Sequence, residues 1–150
     1  MRIVFLKIQQ NCLANFKGRT IRYTDLIFEN FILILTNQEV LILTPDFVPF
    51  QKLSLSNKDS KVIKLLTVSS TKTLLVFESF LFSLELQEGK FSCEPLELPF
   101  PVINAGLEQN LVILMMHKND SNYILSHYSL THKSNQFTTE ICLENSIDSI

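Results

Sequence analysis

Apolar runs of four to eight residues recur along this chain of 150 residues, and each run is followed by a short polar break. The runs are rich in Phe, Ile, Leu and Val, Thr is frequent, and Ala occurs only twice. β-Branched and aromatic residues favour strands. No long window places apolar residues at i, i+3, i+4 and i+7 between helix-capping signals. The recurrence therefore predicts an all-β fold.

The spacing of the runs predicts how the strands are grouped. The runs form three groups of four: Arg19–Glu29, Phe31–Thr36, Glu39–Thr44 and Phe50–Ser56; Lys61–Ser70, Thr73–Glu78, Phe80–Leu86 and Ser92–Leu98; Val102–Glu108, Asn110–His117, Tyr123–Leu130 and Phe137–Glu144. Corresponding runs recur at about 36 to 45 residues. Four short strands in each 40 to 45 residues is the repeat of a β-propeller blade.

The hairpin Phe31–Leu43 is apolar at nearly every strand position, whereas a sheet with one wet face should alternate. Blades that stack around an axis would bury both faces of their inner strands, which explains the missing alternation. Fourth strands at the rim should alternate, as Leu53 with Leu55 and Leu96 with Leu98 do. We therefore expect inner strands buried on both faces and half-exposed fourth strands.

In period and strand number the chain resembles WD-repeat propellers from Arg19 to Leu143, although it has no Trp and three Gly. The resemblance implies one β domain over residues 1–150, with approximate blades at 19–56, 61–98 and 102–143. Residues 1–16 would be strands of a preceding blade. Propellers have about four to eight blades, so a protein partner is expected to complete or cap the open section. A closed β-barrel or a sandwich is the alternative fold.

A narrower resemblance covers the segment Phe80–Leu107. Its strand, polar hairpin, rim strand and aromatic-containing crossing are similar to the late blades of the WD-repeat, non-catalytic subunit of the eukaryotic tRNA guanine-N7 methyltransferase. This resemblance implies an accessory role in an RNA-modifying complex. It carries over no functional residue.

Charge and cysteine usage limit the possible partners and the compartment. Thirteen Lys and Arg against fifteen Asp and Glu give a net charge of −2, too weak a field to attract nucleic acid or an anionic membrane. No apolar stretch reaches the roughly 18 residues of a membrane helix. The three cysteines are far apart and odd in number, which favours reduced thiols. We expect an intracellular protein of the cytoplasm or nucleus, with no membrane contact.

Catalytic and metal-binding motifs are missing from the sequence. GxSxG, GxGxxG, Walker A and HExxH do not occur, and His117, His127 and His132 have no acidic residue or cysteine at a metal-ligand offset. The sequence predicts a protein that is not an enzyme and has no cofactor or metal, and it predicts no small-molecule ligand.

Two sets of residues are candidates for binding. Phe47 and Phe50 flank Pro49 in a connection between strands, where aromatic side chains can anchor a protein partner. Lys17, Arg19 and Arg22 lie among aromatic residues, a pattern that can hold single-stranded nucleic acid. The leading hypothesis is a non-catalytic scaffolding subunit. The alternatives are an RNA-associated accessory subunit and a small β-barrel that binds an apolar ligand.

Overall fold

A computed structural model describes residues 20–37, 39–55, 59–109, 111–130, 132 and 134–142. Over these residues the protein is all-β, and no helix is found among them. The strands are β1 Ile21–Ile27, β2 Phe31–Thr36, β3 Glu39–Leu43, β4 Pro49–Ser54, β5 Val62–Thr67, β6 Lys72–Phe77, β7 Phe80–Gln87, β8 Lys90–Glu97, β9 Val102–Glu108, β10 Leu111–His117, β11 Asn122–Ser129 and β12 Ser134–Cys142. The predicted fold class is confirmed, and each strand overlaps one predicted apolar run.

The strands form three four-stranded antiparallel sheets, each with its strands side by side in chain order. The first sheet is β1–β4, the second β5–β8 and the third β9–β12. The prediction of about three four-stranded units is therefore confirmed. The alternative of a closed β-barrel is wrong, because no sheet of the described residues closes on itself. The strands expected within residues 1–16 lie outside the described residues, and the extent of the domain stays a prediction.

The hairpin turns explain why consecutive strands pair. Glu88 and Gly89 join β7 to β8 with φ of 51° and 77°, the left-handed geometry that two-residue hairpin loops require. Thr36 closes the β2–β3 hairpin, since its Oγ1 accepts from the backbone N–H of Glu39 at 3.1 Å. Short turns of this kind pair a strand with its neighbour in sequence.

The chain divides into two compact units. The first contains the chain up to Asp59 together with Ser69–Thr73 and Leu84–Cys93. One face of its β2–β3 pair forms a core of four buried side chains: Ile32, Ile34, Leu41 and Leu43. In the same unit Gln51 of β4 pairs with the backbone of Phe91, because its Nε2 donates to the carbonyl at 2.7 Å and its Oε1 accepts from the N–H at 2.8 Å.

The second unit contains Ser60–Val68, Leu74–Ser83 and the chain from Glu94 onward. Here the second and third sheets pack face to face through one core: Leu66, Leu74, Val76, Leu81, Val102, Ala105, Val112, Leu114, Met116 and Ile124. Their first strands, β5 and β9, are neighbours, and Lys64 Nζ donates to the carbonyl of Ala105 at 3.3 Å. Consecutive four-stranded sheets stacked in this way are the arrangement of neighbouring propeller blades.

Burial of the second strand of each sheet follows the prediction in the first two sheets and departs from it in the third. In β2 and β6 the last five residues are all buried, as expected for strands covered on both faces. In β10 buried and half-buried residues alternate, and β11 has a similar pattern. The expectation that every inner strand is buried on both faces is therefore wrong for the third sheet, which has one covered face.

Candidate protein-binding surface

The face of the third sheet that points away from the second sheet is apolar and only half-buried. We call it the open face and define it by Ile113 and Met115 of β10 with Tyr123 and Leu125 of β11. The strand register sets this grouping: Met115 is directly opposite Leu125, and Tyr123 is opposite His117. Side chains alternate along each strand, so Val112, Leu114 and Met116 enter the core while the defining residues point the other way.

Strand β9 adds a depression and a projection beside the open face. The depression has a volume of about 480 Å³ and is lined by Asn104, Ala105, Gly106, Leu107, Glu108, Ile113, Met115 and Leu125. A Cβ at Gly106 would have no atom within 4 Å, so the floor of the depression is open there. Next to it, a register shift opposite Met115 and Met116 leaves Ile103 46% exposed. The surface is therefore contoured rather than flat.

Polar groups lie at the two ends of this surface, and His127 and Asn104 lie within it, opposite Ile113 and Met115. Glu108 is opposite Leu111 at one end, and at the other the rings of His117 and Tyr123 contact with centroids 5.1 Å apart. Among the described residues that the register places on this face, Glu108 is the one carboxylate and there is no Lys or Arg. A mainly apolar face with few polar groups is suited to a protein surface, and the described residues give it no Lys or Arg to pair with a phosphate backbone.

Phe50, one of the predicted partner-binding residues, belongs to a cluster of four aromatic rings in the first unit. Its ring lies 5.0 Å from that of Phe31 and 6.1 Å from that of Phe91, and Phe28 stacks on Phe91 at 6.2 Å. Phe91 is buried, whereas Phe50 remains 39% exposed on an outer strand. Phe50 is thus a partly accessible edge of an otherwise packed cluster.

The other predicted binding residues lie in different places. Phe47 is half-buried at φ 64° and packs against the core of the first sheet. Arg22 lies half-buried in β1, and Lys17 and Arg19 lie outside the described residues. The roles of Phe47, Phe50, Lys17, Arg19 and Arg22 stay predictions.

A second cavity of about 310 Å³ opens in the second unit. It lies between the link from β8 to β9 and the third sheet, and its lining is mostly apolar: Leu96, Glu97, Leu98, Pro99, Phe100, Leu114, Met116, Ile124, Ser126, Tyr128 and Thr138. This cleft borders the core, whereas the depression at Gly106 borders the open face. The two cavities are therefore on opposite faces of the third sheet.

Titratable groups offer little for chemistry. Burial is the main cause that raises the pKa of the Tyr23 hydroxyl, and a hydrogen bond to Asp25 is the second. Partial burial also raises the pKa of the Cys93 thiol, although Cys93 is an exposed residue. Both groups are therefore protonated at neutral pH.

The described residues contain no cluster of three or more His, Cys, Asp or Glu that could hold a metal ion. Within the same residues, no helix has the length and apolarity to cross a membrane.

Sequence reasoning did not single out the open face. Apolar residues occupy both faces of β10, as they do in β2, so the strand alone gives no signal that one face is uncovered. The difference is visible only once the neighbouring sheets are in place.

Comparisons with known proteins give no family. No protein-family model matches the chain, and no curated protein matches it. Among solved structures, the chain is similar to Hsv2 from Kluyvelomyces marxianus, with 8% sequence identity and a TM-score of 0.49. The likeness covers 83% of this chain and 40% of that one, so the chain spans less than half the length of the protein it matches.

Proposed function

We propose that the chain is a non-catalytic interaction module, a scaffolding subunit of an intracellular complex that binds a protein partner through an apolar sheet face. The open face of the third sheet supports the proposal. Contiguous exposed apolar surface on a soluble protein marks interaction sites, and its burial stabilises a complex by roughly 25 cal/mol per Å². Strand edges and the partly exposed Phe50 extend the surface available to a partner.

The proposal that the chain is non-catalytic is based on its sequence motifs and on the titratable side chains of the described residues. The sequence has none of the nucleophile, phosphate-binding or metal motifs that enzymes use. The raised pKa values of Tyr23 and Cys93 keep both groups in the protonated form, which is the poor nucleophile. The depression beside the open face is lined mainly by aliphatic side chains and backbone.

A second proposal is RNA association as an accessory subunit, to which the resemblance of Phe80–Leu107 points. It depends on Lys17, Arg19 and Arg22, of which Arg22 is in the described part of the chain. Binding through these residues would weaken steeply with salt, because Lys and Arg release counterions from the phosphate backbone.

Purification of the tagged full chain from its native cell, at low and high salt and with and without ribonuclease, tests both proposals. We expect one or two proteins in constant stoichiometry that stay bound at high salt and after ribonuclease. Loss of the partner on ribonuclease treatment, and weaker binding of Arg22→Glu, would favour the RNA-associated role. A stable chain with no stoichiometric partner under any of these conditions would contradict the interaction module.

A further inference from the structure

We infer that the open face is the docking surface for a propeller-type blade, a four-stranded antiparallel sheet with an apolar face, supplied by a different polypeptide. This inference rests on the proposed function and names the kind of partner. It follows from the internal repeat, because the chain itself shows what covers the equivalent face of another sheet.

The second strands of the three sheets can be compared position by position. In β6 the third and fifth residues are Leu74 and Val76, and both pack in the core formed with the third sheet. In β10 the third and fifth residues are Ile113 and Met115, which belong to the open face. The open face therefore carries the positions that, one sheet earlier, contact the following sheet.

The third sheet supplies the surface that meets those positions. Leu74 and Val76 pack in one core with Val112 and Leu114, the second and fourth residues of β10. A matching partner therefore presents aliphatic side chains at the second and fourth positions of its own second strand. Two sheets of the same right-handed twist pack face to face with their strands nearly aligned, so a sheet of this type fits the face better than a helix does.

The described residues of a second copy of this chain do not offer that surface. The equivalent positions of the first sheet are Ile32 and Ile34 of β2, and they are only 4% and 0% exposed. In the third sheet they are Val112 and Leu114, which the second sheet already covers. Both complementary faces are therefore occupied, so the described sheets of a second copy are not the expected cover.

The charge of the face agrees with this assignment. Ile113, Met115 and Leu125 make the face largely aliphatic, although His127 lies opposite Ile113. Glu108 is the one carboxylate that the register gives it among the described residues. Association through such a face depends on apolar burial rather than on ion pairs, so it should be insensitive to salt.

Site-specific photo-crosslinking in the native cell tests the inference. The photoreactive residue p-benzoylphenylalanine replaces Met115 in the full chain, and a matched control places it at Val48, which is 55% exposed in the first unit. We expect the Met115 position to give one adduct, on an apolar residue of a β-strand in a different polypeptide, and the Val48 position not to give it. The Leu125→Lys change on the same face should abolish the adduct, and Lys52→Glu on β4 should leave it. Thermal unfolding of each variant confirms that it is folded.

The remaining outcomes distinguish a failure of this inference from a failure of the proposed function as an interaction module. An adduct with another copy of this chain, with a distant part of the same polypeptide, or with a helix would overturn the inference. So would a stoichiometric partner that co-purifies but gives no adduct at position 115, although the interaction module would then stand. Absence of both an adduct and a partner would contradict the interaction module as well.

Discussion

Among the described residues, Tyr23 has a hydroxyl whose ionisation is coupled to its burial and to a hydrogen bond. Its hydroxyl donates to Asp25 Oδ2 at 2.7 Å, and burial followed by this carboxylate raises its pKa above the ordinary value of about 10. A group with a raised folded pKa contributes stability that is complete below its unfolded pKa and is lost as the pH rises through the folded value. The free energy of unfolding should therefore fall as the pH is raised above 10.

Urea unfolding of the wild-type chain and of Tyr23→Phe, measured between pH 7 and 11, checks this expectation. The variant loses the hydrogen bond, which costs about 1 kcal/mol at neutral pH, but its stability should fall less steeply above pH 10. Lysines deprotonate in both proteins and cancel in the comparison. Parallel curves would show that the Tyr23 phenol does not couple to folding.

Single residues also show where prediction from sequence ends. The turn at Glu88–Gly89 is predictable, because Gly adopts positive φ without cost. Phe28 and Glu29 adopt φ of 54° and 61° with no Gly to indicate it, a geometry that costs L-residues roughly 1–2 kcal/mol each. Pairing of Ile27 with Phe31 across this turn imposes the positive φ angles. The residues of the turn alone do not predict that pairing.

At the scale of one strand, β10 provides a matched pair of adjacent positions on opposite faces. Leu114 is 1% exposed in the core between two sheets, so Leu114→Ala should lower the free energy of unfolding by about 2–5 kcal/mol. Met115 is half-buried on the open face, so Met115→Ala should cost about 1 kcal/mol or less in the isolated chain. Denaturant titration of the two variants measures the difference. Equal costs would show that the open face is covered in solution.

Strand positions were accessible from the sequence, but the burial of their faces was not. Apolar runs and turn residues located β2, β6 and β10, because both signals are local to the strand. Whether a face is buried depends on a sheet formed by another part of the chain. In β10 both faces are apolar in sequence, but only one of them is fully buried in the structure. For the same reason Phe47 and Phe50, neighbours in sequence, differ in the structure: one packs on a core and the other lies at a partly exposed edge.

At the scale of the whole molecule, the open face gives the described chain a contiguous apolar surface, and this leads to a prediction for the isolated protein. An anilinonaphthalene sulfonate dye, which fluoresces on exposed apolar surface, should bind the purified chain under native conditions. Met115→Lys places a charge at the centre of the face and should lower the fluorescence. Leu26→Lys is the control, because Leu26 is 48% exposed on β1, between Asp25 and a buried Ile27, and belongs to the first unit. It should change the signal little.

Titration of dye into the three proteins, with circular dichroism to show that all are folded, measures the effect. Equal fluorescence from wild type and Met115→Lys would mean that the dye binds elsewhere and that the open face is not the main apolar surface of the molecule.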